Sequence, residues 1–154
     1  MLKVVFFLSL IFLDQIVKDF VLKLSVRGTK RFCLIKNFLD ISYTENYGVA
    51  FGIFKSLNRV IITILVLLMF FAFSFYFLKN KKLLKNKNIR LFLIFITAGG
   101  VSNLLDRLTR GYVVDYIELK IFPPIFNLAD VYITLGTIML AFYVFFVLKN
   151  KHTC

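Results

Sequence analysis

From Val60 to Leu78 the chain reads VIITILVLLMFFAFSFYFL, nineteen residues without a charge. A helix rises 1.5 Å per residue, so ~20 apolar residues cross the ~30 Å hydrocarbon layer of a bilayer. A helix that is apolar on every side belongs in lipid or in the middle of a large core. A chain of 154 residues does not build such a core. Composition agrees: 60% of the residues are hydrophobic and twenty are phenylalanine, whereas soluble domains hold about 45–50% apolar residues. The expected fold is therefore an all-α polytopic membrane protein, with residues 1–154 forming one membrane-embedded domain.

Three further runs have the length of a span. They cover about residues 1–24, 89–108 and 128–148, giving four transmembrane helices with the run at 60–78. The first resembles a signal peptide in opening with Lys3 and an apolar run, but Asp14 and Lys18 interrupt it and no small-residue cleavage site follows. It is read as a helix that stays. The stretch KNKKLLKNKNIR between the second and third runs carries six basic residues, and Lys149 and Lys151 follow the fourth. Short basic loops remain in the cytoplasm. Both termini are then cytoplasmic, and the loops at about 25–59 and 109–127 face outward. The first outer loop blurs this pattern, because it carries Arg27, Lys30, Arg31, Lys36 and Lys55.

The net charge of +12 sits mostly at the ends of apolar runs. That favours anionic lipid headgroups over nucleic acid as partners. Cys33 and Cys154 are isolated and His152 is the only histidine. No disulfide framework, zinc motif or serine–histidine catalyst is legible. Within FLDISYT, Leu39, Ile41 and Tyr43 alternate with Asp40, Ser42 and Thr44, the period of a half-buried strand. YVVDYIEL is also rich in β-branched and aromatic residues. A small β-rich element is expected on the outer membrane surface, joining the two outer loops.

The polar residues inside the apolar runs gather toward that same surface. Asp14 and Lys18 are spaced i, i+4; Asn103, Asp106 and Arg107 share a face; Asn127 and Asp130 are i, i+3. Asn46 and Gly48 lie in the first outer loop, and Asp115 in the second. Ionisable groups at membrane depth face the bundle interior and are functional candidates. Each has a plainer reading: an ion pair for Asp14–Lys18, an interfacial anchor for Asp106–Arg107, an N-cap for Asn127 with Asp130 in the first turn, a turn at Gly48, and close helix packing at Gly99–Gly100. Asp115 has no such alternative.

LDQIVK, NYGVAFG, GGVSNLLDR, VVDY and FNLAD, taken together and in this order, resemble the bacterial lipoprotein signal peptidases (signal peptidase II) across nearly the whole chain. The resemblance implies a four-helix membrane aspartyl endopeptidase of the bacterial inner membrane that needs no metal or cofactor. Its substrates are prolipoproteins, cut just before a cysteine already modified with diacylglycerol. The family's catalytic aspartates fall on Asp115 and Asp130. Residues lining the family's site fall on Asp14, Lys18, Asn46, Gly48, Asn103, Asp106, Arg107 and Asn127. Ser102 stands where many relatives have glycine, Tyr116 where many have phenylalanine, and the stretch between the two aspartates is short. A monomer working among membrane lipids is expected.

Two carboxylates close together in a poorly hydrated site do not both ionise readily, so the pair shares a proton. Fifteen residues separate Asp115 from Asp130, so the chain must fold back on itself, stiffened by Pro123 and Pro124. Arg107 offers a rigid donor fork for peptide or ester oxygens. A channel or transporter would also carry Asp14, Asp106 and Asp130 in a bundle interior. A non-catalytic lipid-binding scaffold would not need Asp115. A serine peptidase pairing Ser102 with Lys18 is the remaining alternative.

Overall fold

The computed structural model describes residues 1–28, 31–48 and 59–148. Lys30, Lys55, residues 49–52 of the second motif, Lys149, Lys151, His152 and Cys154 lie outside the described residues. In chain order the elements are α1 (Leu2–Val26), β1 (Arg31–Ile35), β2 (Leu39–Asn46), α2 (Arg59–Lys79), a single turn α3 (Lys81–Leu84), α4 (Lys87–Thr109), β3 (Val113–Leu119), β4 (Phe122–Phe126) and α5 (Leu128–Phe142). The last helix continues as π-helix over Tyr143–Leu148.

Among the described residues, three helices are long and apolar enough to cross a membrane, over Val60–Phe77, Lys87–Thr109 and Leu128–Phe146. Their outward faces carry the largest side chains: Met69, Phe71, Phe142 and Phe145 are all exposed. Helix α1 has 25 residues but is interrupted by Asp14, Lys18 and Asp19, so composition alone does not mark it as a span. It turns Asp14 and Lys18 inward, where both are 0% exposed.

Helices α4 and α5 pack most closely, and glycine is the reason. A Cβ placed on Gly99 would lie 2.3 Å from the Ala129 carbonyl oxygen, and one on Gly136 would lie 2.7 Å from that of Phe92. Only a hydrogen at these positions lets the two backbones approach so closely. Gly100 points instead toward the Phe70 ring of α2, at an ordinary distance.

The four strands form one antiparallel sheet in the order β1-β2-β3-β4. The two expected strands are its centre. In β2 the buried positions are Asp40 and Ser42, while Ile41 and Tyr43 pack part-buried against Val21, Val114 and Tyr116. Arg31 and Lys120 pair with Asp40, and Arg31 also pairs with Glu118 on the neighbouring strand. The alternation is present, but the charged face is covered too. Pro123 and Pro124 lie in β4, an edge strand; proline lacks the N–H that a central strand must donate.

Candidate active site

Asp115 is placed by the sheet. Gly111, at φ +81°, lies in the left-handed region that glycine adopts freely, just after α4 ends and before β3 begins. The first four residues of β3, Val113 to Tyr116, are all buried. Asp115 stands opposite Thr44 in the register with β2.

Asp130 is placed by the start of α5. Asn127 is the N-cap and forms a capping box: its Oδ1 accepts from the Asp130 N–H at 2.9 Å, and its own N–H donates to Asp130 Oδ2 at 3.2 Å. Such reciprocal bonds satisfy two amides that a helix start leaves open. The same Asn127 uses its Nδ2 to donate to Asp115 Oδ1 at 2.7 Å. One asparagine therefore touches both aspartates and closes the fifteen-residue return between them. Capping and a place in the site are joint duties here.

Every polar contact to the two carboxylates comes from a donor. Asp115 Oδ2 accepts from Asn46 Nδ2 at 2.9 Å, and Asp130 Oδ1 accepts from Asn103 Nδ2 at 2.8 Å. Burial pushes the Asp115 carboxyl up to about 7; the negative charge of Asp130 adds to the rise, while Asn46, Asn127 and Lys18 oppose it. A carboxyl raised by both burial and a like charge is the arrangement that holds a proton near neutrality.

A second cluster sits behind the first. Asp14 receives four donors: Lys18 Nζ at 2.7 Å, Ser102 Oγ at 2.7 Å, Tyr116 OH at 3.3 Å and the Ala129 N–H at 3.1 Å. It ties α1 to α4, β3 and α5. Asp106 receives Lys18 Nζ at 2.9 Å, Gln15 Nε2 at 3.1 Å, the Val114 N–H at 3.2 Å and the Arg110 guanidinium. The third bond of Lys18 goes to Asn103 Oδ1 at 2.8 Å. With its Nζ so committed and Ser102 donating to Asp14, a serine–lysine pair has no geometric support.

Asn46 and Gly48 are brought to this site by their own turn. The Gly48 N–H donates to Asn46 Oδ1 at 2.9 Å, and Arg107 Nη2 donates to the Gly48 carbonyl at 2.8 Å. Gln15, Arg110 and the Tyr116 hydroxyl belong to the network although sequence spacing did not single them out. The legible signals were Gln15 as a polar neighbour of Asp14 in an apolar helix, and Arg110 four residues after Asp106. Among the described residues, no group of three His, Cys, Asp or Glu side chains is arranged to hold a metal ion.

Asn46, Asp115 and Asp130 open onto a cavity of about 410 Å³. Its other walls include Leu119, Phe122, Phe126, Val131, Ile133 and Leu135, from β3, β4 and α5. A polar end carrying two carboxyls thus adjoins an apolar trough.

The family model for signal peptidase (SPase) II matches residues 6–146. The lipoprotein signal peptidase of Clostridioides difficile (strain 630) is 37% identical over 147 residues, covering 95% of this chain and 96% of that protein. The lipoprotein signal peptidase of Borreliella afzelii (strain PKo) is 36% identical over 156 residues, covering 96% of this chain and 91% of that protein. A bacterial membrane enzyme solved by the in meso method at 2.3 Å resolution superposes with a TM-score of 0.80 at 28% identity, covering 97% of this chain and 90% of its own. A second, solved at 1.9 Å, gives 0.74 at 26% identity, covering 94% and 93%. The chain belongs to the signal peptidase II family.

Proposed function

We propose that this peptidase, whose family removes signal peptides from prolipoproteins, uses Asp115 and Asp130 as its catalytic pair and cuts before a diacylglyceryl-modified cysteine. The observation that carries the proposal is Asn127 bonded to both aspartates at the polar end of an apolar cavity. The ionised member of the pair takes a proton from water as that water attacks the scissile carbonyl. The protonated member donates to the carbonyl oxygen. The tetrahedral intermediate then collapses, the C–N bond breaks, and the cysteine nitrogen leaves with a proton from the pair. The proton belongs to the pair rather than to one residue.

Asn46, Gly48, Asn103, Arg107 and Asn127 surround the reacting bond in this scheme, and Arg107 offers donors to substrate oxygens beyond its two backbone bonds. The trough lined by Phe122, Phe126 and Leu135 suits the apolar part of a lipid-bearing substrate. Helix α1 completes four spans in a single domain over residues 1–154, with both termini in the cytoplasm and the site near the outer face of the inner membrane. The sheet lies on the outer surface among lipid headgroups. Ile35 and Phe38 at one sheet turn and Ile121 at the next are 49%, 44% and 76% exposed beside Lys36 and Lys120, an apolar-and-basic tip of the kind that settles in a membrane interface. The enzyme works as a monomer.

The test is cleavage of a diacylglyceryl-modified lipobox peptide by the purified protein, beside the same peptide without lipid. Only the lipidated peptide should be cut. Asp115→Asn and Asp130→Asn should each lower turnover by about 100–10,000-fold while the protein still inserts. Near-normal turnover by either variant rules out the pair.

A further inference from the structure

We propose that Lys18 is a positioning residue for the catalytic pair, acting through the carboxamide of Asn103; this rests on the assignment of Asp115 and Asp130 above. Lys18 is 0% exposed, and Asp14, Asp106 and Asn103 occupy its ammonium. Substrate therefore does not reach it.

Its influence is one of polarity. An asparagine carboxamide presents either an oxygen or an NH₂ to a neighbour, and the two orientations differ little in shape. An ammonium is only a donor, so the group that Asn103 turns toward Lys18 must be Oδ1. Asn127 Nδ2 also approaches that oxygen, at 3.2 Å. Asn103 is left with Nδ2 for Asp130, the 2.8 Å bond already described. The chain then continues. Asn127 Oδ1 is taken by the Asp130 N–H, so its Nδ2 is the end facing Asn103 and Asp115. The buried cation thereby sets the direction of the Asn103 amide, which ends on Asp130, while the N-cap bond sets that of Asn127, which ends on Asp115 and also donates to the Asn103 oxygen that Lys18 holds in place.

The charge acts in the same sense. Lys18 opposes the rise of the Asp115 carboxyl that burial and Asp130 produce. The groups that face Lys18 or the pair are Asp14 on α1; Ser102, Asn103, Asp106, Arg107 and Arg110 on α4; Asp115 and Tyr116 on β3; and Asn127 and Asp130 on α5. Arg110 is committed to Asp106 and Asp19, and Arg107 to two backbone carbonyls. Lys18 is the cation in contact with the amide chain through a side-chain oxygen.

Lys18→Met tests this in the lipopeptide cleavage assay, with the amount of folded protein measured by size exclusion and thermal melting. Cleavage by the unaltered chain and its loss in Asp115→Asn, measured first, check the catalytic pair separately. With Lys18→Met, kcat per folded molecule should fall at least about tenfold, the scale of one lost positioning contact. KM for the lipopeptide should stay within about twofold, and the acidic limb of kcat against pH should move upward by about one unit, since an opposite charge no longer favours ionisation. If Lys18→Met yields no folded protein, the paired variant Lys18→Met with Asp14→Asn, which leaves net charge unchanged, should still show the kcat loss at constant KM. A raised KM with an unmoved acidic limb would make Lys18 a substrate contact and overturn the proposal. Wild-type kcat per folded molecule, in either variant, would overturn it as well.

Discussion

The buried Asp115 carboxyl makes the fold less stable as pH rises toward neutrality. Its carboxyl is raised from 3.8 to about 7 by burial first and by Asp130 second. In the unfolded chain the same group ionises near its ordinary value, about 3.9. Between those two values the folded protein binds the proton more tightly than the unfolded chain does. The stabilising contribution is therefore complete below about pH 4 and is lost as pH rises through about 7, by at most ~4 kcal/mol at ~1.4 kcal/mol per unit. Asp115→Asn carries no such proton. Its apparent melting temperature relative to the unaltered protein should increase between pH 4 and pH 8, and a gap that is constant across that range would contradict the raised carboxyl. The acidic residues also bear on metal dependence. Asp14 and Asp106 are saturated by Lys18, Ser102, Tyr116, Gln15, Arg110 and backbone amides. A hard cation needs several free oxygen ligands, so cleavage should survive exhaustive chelation; activity lost on chelation and restored by Mg²⁺ or Zn²⁺ would replace this mechanism with a metal-assisted one.

Among the elements, the sheet shows what a sequence displays and what it conceals. Strand β2 was legible from the alternation of Leu39, Ile41 and Tyr43 with polar residues, and β3 from its β-branched and aromatic residues. Strand β4 was not, since FPPIF holds two prolines that local propensity counts against a strand, and only its edge position makes them acceptable. Strand β1 was concealed for a different reason: all five of its residues are exposed, so no buried face imposes an alternation. The site followed the same rule. Asp14–Lys18 and Asn103–Asp106–Arg107 could be read from helical spacing, but the Gln15 and Arg110 contacts depend on how α1 meets α4, which no local pattern encodes. The exposed tip of the sheet gives a clean measurement, because the chain contains no tryptophan. With Ile121→Trp in vesicles, emission should be blue-shifted and quenched by lipids brominated on their acyl chains. Water-like emission without quenching would lift the sheet tip off the membrane.

For the molecule as a whole, the orientation of the bundle decides whether the proposed catalytic pair meets its substrate. A secreted precursor whose signal peptide still spans the bilayer exposes its lipid-bearing cysteine at the outer leaflet. In the proposed scheme Asp115 and Asp130 meet the bond there, because a charge carried to the bilayer centre costs about 2.5–3.5 kcal/mol even on insertion scales. Helix α1 reaches into the bundle with Asp14 and Lys18, yet each is bonded to the other and to α4, which offsets much of the desolvation a lone charge would suffer. That pairing is what the proposed fourth span asks of an interrupted helix. The opposite end of the bundle carries Lys79, Lys81, Lys82, Lys85, Lys87 and Arg90 around α3, and the proposed orientation places this basic turn in the cytoplasm, where such short loops stay. Two positions report on this directly. With Cys33 and Cys154 replaced by serine, a cysteine at Lys36, in the turn between β1 and β2, should react with an impermeant thiol reagent in intact cells. A cysteine at Lys85, just after α3, should react only after lysis. Together the two labels test the proposed orientation, in which the sheet and the proposed catalytic pair share one side and the lysine turn marks the other. Labelling in the reverse sense would put Asp115 and Asp130 on the cytoplasmic face, away from the lipidated cysteine of a translocated precursor, and both the four-span orientation and the proposed substrate encounter would fail with it.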